Sequence, residues 1–143
     1  LVEKIVDYFG AVKGKKLALW GLAFKPDTDD IREASALYMI EALTELGAEI
    51  VAFDPEASDN VRGVVGDKIS YASNQYDALD GCDALMIATE WGLFRNPDFD
   101  QLKERLNQPI VFDGRNLFEL SRMEENGFYY SSIGRRTVIP KFS

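Results

Sequence analysis

Three cations carry most of the chemistry this sequence offers. Lys25 and Arg32 lie in the segment GLAFKPDTDDIRE at 21–33, among Asp27, Asp29, Asp30 and Glu33, and Arg115 follows the pair Asp113-Gly114. A lysine supplies a mobile point charge with three donors, and an arginine supplies a planar fork that matches a phosphate or carboxylate. The chemistry they suit is anion recognition, with a phosphate or pyrophosphate as the natural ligand. The residue inventory narrows the bond-making chemistry open to the chain. The 143 residues contain no histidine, and Cys82 is the single cysteine. That excludes a Ser-His-Asp triad, a zinc site of Cys and His, and an intramolecular disulfide. No residue is assigned a catalytic or metal-binding role.

Each cation also has a plainer reading. Lys25 could be a solvated loop lysine. Arg32 could pair with Asp29, Asp30 or Glu33 at the surface, at about 0–1 kcal/mol per pair. The acids of PDTDD suit the capping of a following helix, whose N-terminus attracts negative charge. Arg115 could be an ordinary turn residue. Asp54, after the second strand, stands where dinucleotide-binding folds keep an acid for a ribose, but no GxGxxG follows the first strand to support that role. Trp91 and Phe94 read as packing residues, and Cys82, with no basic neighbour in sequence, as structural.

The elements that position these residues alternate. Apolar runs at 16–22, 49–53, 84–88 and 110–112 read as buried strands, with shorter candidates around 68–71 and 128–131. Helical periodicity marks 35–46, with Ala36, Leu37, Ile40 and Leu43 on one face, and 97–106, with Phe99, Leu102 and Leu106 inward. Weaker helices are expected at 74–79 and 117–124, and an irregular basic tail at 134–143. Strand–helix alternation predicts an α/β fold: a three-layer, Rossmann-like, doubly wound and mostly parallel sheet. In such a sheet, ligands meet the C-terminal ends of the strands, where Lys25, Arg32 and Arg115 fall together.

The chain opens LVEKIVDYFG. Leu1, Ile5 and Tyr8 share helical spacing, as do Val2, Val6 and Phe9, and Gly10 suits a C-cap. No N-terminal cap signal precedes them, so the expectation is a fragment cut within a longer helix. The net charge of −8 disfavours binding to nucleic acid phosphates. No apolar run approaches the roughly 18 residues of a membrane helix, and no signal-peptide pattern opens the chain, so a cytoplasmic protein is expected.

The motifs GLAFKPDTDDIRE (21–33), AFDPEA (52–57), ATEWGLFRNPDF (88–99), VFDGRNLF (111–118) and GFYYSSIGR (127–135) occur in that order along most of the chain. Together they resemble the C-terminal, UDP-binding domain of the UDP-glucose/GDP-mannose dehydrogenase family, and within it the UDP-glucose 6-dehydrogenases most. The first motif is the most specific. One departure is visible: Ala34-Ser35 stands where the family commonly has Ser-Pro or Ala-Pro. The resemblance implies an NAD-dependent, two-step oxidation of the C6 alcohol of UDP-glucose to a carboxylate. It implies that NAD and the catalytic groups lie on an N-terminal Rossmann domain and a central dimerisation region. This fragment would then be inactive by itself, and the full-length enzyme would be a homodimer.

The resemblance further implies that residues 1–13 end a long helix from the central region and that 14–143 form the UDP-sugar-binding domain. By the same resemblance, Phe24, Lys25 and Arg115 contact the substrate, and Arg32 reaches NAD across the interdomain cleft. Alternatives remain open: a relative acting on a UDP-N-acetylhexosamine or GDP-mannose, a freestanding α/β nucleotide-binding module, or a receiver-like domain.

Overall fold

A computed structural model describes residues 1–23 and 35–140. Six strands form the central sheet: β1 (Lys16–Trp20), β2 (Glu49–Phe53), β3 (Ser70–Tyr71), β4 (Ala84–Ile87), β5 (Ile110–Asp113) and β6 (Tyr129–Ser131). Their spatial order is β3-β2-β1-β4-β5-β6, and each neighbouring pair is parallel. This is the Rossmann order, in which the winding reverses between β1 and β4. A receiver domain would place its third strand beside the first. Here β3 lies outside β2, which removes the receiver-like alternative.

The central strands β1, β4 and β5 are buried on both faces, and their side chains alternate between two cores. Leu17 and Leu19 of β1, Met86 of β4 and Phe112 of β5 pack into one layer, with Ile5 of α1 (Val2–Phe9), Ile40 and Leu43 of α2 (Ser35–Glu45) and Val61 of α3 (Ser58–Val65). Ala18 and Trp20, Leu85 and Ile87, and Val111 point into the other. There they meet Phe94 of α4 (Gly92–Arg95), Phe99 and Leu102 of α5 (Phe99–Arg105) and Met123 of α6 (Leu120–Glu125). The period of two along a strand thus sends successive residues to opposite layers. Helix α1 is part of this fold, because Ile5 is fully buried and Lys4 donates from Nζ to the Ser132 carbonyl.

Local chemistry explains where elements stop. Strand β1 ends at Trp20, two residues short of its apolar run, because Gly21 turns out of the sheet at φ 97° and donates its N–H to the Phe53 carbonyl at 2.9 Å. The helix expected at 74–79 is only a 3₁₀ turn, Asp77–Leu79. The Asn74 side chain accepts from the N–H groups of Tyr76 and Asp77 (3.0 and 2.8 Å), an Asx turn that competes with α-helix. Helix α5 starts at Phe99, two residues later than expected, because Asp98 caps it by accepting from the N–H groups of Asp100 and Gln101. The tail is not wholly irregular: Val138 forms an antiparallel bridge with Tyr130.

Candidate functional site

The crest formed by the C-terminal ends of β1, β4 and β5 is built from tightly joined loops. Gly21 follows β1, and a Cβ there would stand 2.5 Å from Thr89 Cβ and 2.7 Å from its backbone nitrogen. Positive φ and this close approach both require glycine. Thr89, fully buried after β4, donates from Oγ1 to the Ala23 carbonyl at 2.8 Å. The two loops that flank the switch point therefore touch, and the chain leaves β1 from a fixed position.

Asp54 performs a different task from the one its position suggested. Its carboxylate is buried, and Oδ2 accepts from Leu22 N (2.7 Å), Ala23 N (3.1 Å) and Trp91 Nε1 (3.2 Å). Its Oδ1 accepts from Glu56 N and Ala57 N, both at 2.8 Å. Five protein donors leave little capacity for a ribose hydroxyl. Asp54 is a clamp that joins the loops after β1, β2 and β4. With that acid committed inward, the described residues do not fit a dinucleotide in the Rossmann manner.

Arg115 is the sequence-predicted site residue whose place is described; Phe24, Lys25 and Arg32 lie outside the described residues. Asp113, the fully buried last residue of β5, shapes the turn that carries it. Asp113 Oδ1 accepts from the Arg115 N–H at 2.8 Å, and Oδ2 from the Leu117 N–H at 2.7 Å. Gly114 donates its N–H to the Ile87 carbonyl at 2.9 Å, and Arg115 donates from Nε to the Ala88 carbonyl at 3.1 Å. The guanidinium is thereby laid across the end of β4, half-buried, with Glu90 Oε2 at 3.6 Å from Nε.

Beneath this turn runs a polar chain that the sequence did not announce. Tyr130 of β6, fully buried, donates its hydroxyl to Asp113 Oδ2 at 2.6 Å. The Tyr130 phenol oxygen in turn accepts from Arg135 Nη2 at 2.8 Å and from the Phe118 N–H at 3.3 Å. Arg135 also donates to the Phe118 carbonyl (3.0 Å) and to Ser132 Oγ (2.9 Å). Burial pushes the phenol pKa well above its usual value, and the Asp113 charge pushes it further, so the hydroxyl remains a donor. Asn116, at φ 55°, exchanges hydrogen bonds of 2.9 and 2.8 Å with the backbone of Ile133. The available signal was an acid ending a buried strand, which must find donors, and a basic residue in the tail; nothing local paired them.

The remaining readings are structural. Trp91 and Phe94 are buried, and Phe94 stacks on Trp20 with centroids 5.0 Å apart. Cys82 is buried, and desolvation raises its thiol pKa to about 11, so it is a poor nucleophile. Among the described residues there is no cluster of acids and cysteine able to hold a metal ion, and no helix long and apolar enough to cross a membrane.

A cavity of about 190 Å³ opens at the crest, lined by Leu1, Val2, Tyr38, Met39, Ala88 and Ile133, with Gly114 at its side. Ordinary ligand pockets hold roughly 300–1,000 Å³. By itself this cavity is too small to enclose a whole nucleotide. A larger groove, about 720 Å³, passes Lys16 and Glu49 at the opposite ends of β1 and β2 and follows the outer strand β3. Open parallel sheets bind ligands at the other edge, so the crest is the candidate site.

Comparison with known proteins agrees with this geometry. Residues 18–120 match the UDP-binding domain of the UDP-glucose/GDP-mannose dehydrogenase family. The UDP-glucose 6-dehydrogenase TuaD of Bacillus subtilis is 40% identical over 138 residues, which cover 96% of this chain and 30% of that protein. A UDP-glucose 6-dehydrogenase of Pseudomonas aeruginosa is 43% identical, over 94% of this chain and 31% of its own length. The solved structure of a UDP-glucose dehydrogenase from Pyrobaculum islandicum superposes with a TM-score of 0.70 at 32% identity, covering 80% of this chain and 25% of that one. The chain thus spans about a third or less of the relatives it matches.

Proposed function

The chain belongs to the UDP-glucose/GDP-mannose dehydrogenase family, as its UDP-binding domain, and on that premise we propose that it forms the sugar-nucleotide wall of an NAD-dependent UDP-glucose 6-dehydrogenase. The observation that carries the proposal is Arg115, whose guanidinium is held across the end of β4 beside the switch point. The two relatives described above, at 40% and 43% identity, are both UDP-glucose 6-dehydrogenases, which favours that substrate within the family.

In this reading the domain binds and orients, and does not break bonds. Arg115 directs its fork toward an oxygen of the sugar nucleotide, where a charge-assisted hydrogen bond contributes about 1.5–3 kcal/mol. Phe24 and Lys25 belong to the same substrate wall: the lysine donates near the sugar, and the ring excludes water from it. Arg32 reaches NAD across the cleft to a neighbouring domain. NAD, when bound there, supplies the hydride acceptor for both oxidations. The commitment of Asp54 to its own loops supports placing the dinucleotide outside this domain. Residues 1–13, including α1, would be the end of the helix that joins the domain to a central dimerisation region, giving a cytoplasmic homodimeric enzyme.

Calorimetric titration with UDP tests the proposal. The chain should bind UDP in preference to GDP, and Arg115→Ala should weaken UDP binding by about tenfold or more, since 1.4 kcal/mol is a factor of ten. Equal affinity in the wild type and Arg115→Ala would remove Arg115 from the site. The chain alone should reduce no NAD in the presence of UDP-glucose; measurable turnover would overturn the assignment of catalysis to other domains.

A further inference from the structure

Arg115 is not positioned by its own turn alone. The turn hangs on Asp113, whose carboxylate is fully buried and accepts from Arg115 N, Leu117 N and the Tyr130 hydroxyl. A buried carboxylate is oriented by the donors it accepts from, and each donor lost leaves acceptor capacity unmatched in a medium of low dielectric. The backbone N–H donors come from the turn itself and would move with it. The Tyr130 hydroxyl is different. It projects from the interior of β6, where register with β5 pairs Tyr130 with Val111. It is therefore an external reference point for the carboxylate.

Tyr130 is fixed in turn by the loop that follows β6. Arg135 Nη2 donates to its hydroxyl oxygen, leaving the phenol proton to point at Asp113. Arg135 is itself held by Ser132 Oγ and the Phe118 carbonyl, and its guanidinium carbon lies 5.5 Å from the Tyr130 ring centre. Its positive charge also offsets the buried carboxylate through the shared phenol oxygen. The chain of contacts runs Arg135, Tyr130, Asp113, then the backbone and side chain of Arg115.

We propose that Tyr130 and Arg135 are positioning residues for Arg115: through Asp113 they set where its guanidinium stands on the crest, and so set the affinity of the site for the diphosphate-bearing ligand. Neither residue needs to touch that ligand. The importance for binding rests on the proposed role of Arg115, whereas the positioning itself can be read without ligand.

The experiment follows the Arg115 Nε–Hε signal by ¹⁵N NMR in the whole chain, the signal being assigned by its loss in Arg115→Lys. Tyr130→Phe and Arg135→Met should both shift this signal and speed its hydrogen exchange about tenfold or more, as expected when the bond to Ala88 loosens. Arg135→Lys, which can return one donor to the phenol, should restore part of the protection. Leu102→Ala, an apolar truncation in the same core layer, controls for general loss of stability and should leave the signal in place. An unchanged Arg115 signal in Arg135→Met overturns the proposal, even if Tyr130→Phe fails to fold. So does an equal change in Leu102→Ala. UDP titration of the same variants is read separately. Affinity should fall about fivefold or more where the signal has moved. A moved signal with unaltered UDP affinity would leave the positioning intact and refute Arg115 as a ligand contact.

Discussion

Replacing Asp54 by asparagine should cost stability, and the structure gives the size of the effect. The substitution keeps the shape and removes one acceptor oxygen and the charge. In the wild type Oδ2 serves Leu22 N, Ala23 N and Trp91 Nε1, and Oδ1 serves Glu56 N and Ala57 N. An asparagine that turns its oxygen toward the first group sets its NH₂ against the two N–H groups of the second; the opposite rotamer strands three donors. A buried donor without an acceptor costs about 1–3 kcal/mol. Glu56 is exposed, so its N–H can recover water, whereas Ala57 is buried. The first rotamer therefore costs about 2–4 kcal/mol, including the weaker neutral hydrogen bonds that remain. At roughly 0.05–0.15 kcal/mol per residue of total stability, this is a large fraction. The melting temperature should fall by about 10 °C, taking about 2–4 °C per kcal/mol for a domain near this size. Urea unfolding followed by tryptophan fluorescence, with an unchanged m-value, measures it. A loss below about 0.5 kcal/mol together with a loss of nucleotide binding would refute the clamp and restore Asp54 as a ligand acid.

Three further outcomes are expected. Gly21→Ala should destabilise the domain by about 3 kcal/mol or more, as left-handed strain and a 2.5 Å clash combine; adding Thr89→Ala should relieve little, because the Thr89 backbone nitrogen is also 2.7 Å away. Denaturation curves of the single and double variants check this. Cys82 should resist a thiol reagent in the native state, and label at a rate set by opening of the fold. Its raised pKa, about 11, also fixes a sign: between about pH 9 and 11 the unfolded thiol ionises while the folded thiol does not, so stability falls as pH rises through that window. Cys82→Ala should remove this component of the pH dependence, and an identical slope in the two proteins would contradict it. Arg115→Ala should weaken UDP binding about tenfold with little change in melting temperature, because its side chain is only half-buried.

Much of the fold was legible because its signals are local. The apolar run at 49–53 is β2 to the residue, and Phe99, Leu102 and Leu106 face inward as their spacing requires. The misses share a cause as well. Asn74 captures nearby N–H groups and turns an expected helix into a 3₁₀ turn. The one-turn helix α4 is too short to show a period. Val138, in a tail read as irregular, pairs with Tyr130. Of the candidate site, Arg115 was legible because a strand-ending Asp-Gly pair marks where the chain turns at the crest. Asp54 was legible as an acid at the right edge, but its five donors come from three loops, which sequence does not bring together.

The sequence by itself determined the α/β class, the family and the cation that follows β5, because periods of two and 3.6, turn residues and short motifs are written within a few neighbouring positions. Only the tertiary structure decided that β1 lies between β2 and β4, that Asp54 turns inward, and that Arg135 and Tyr130 stand behind Arg115. Those facts depend on parallel pairing between distant segments and on the demand that every buried donor and acceptor be matched, which the whole fold must meet at once.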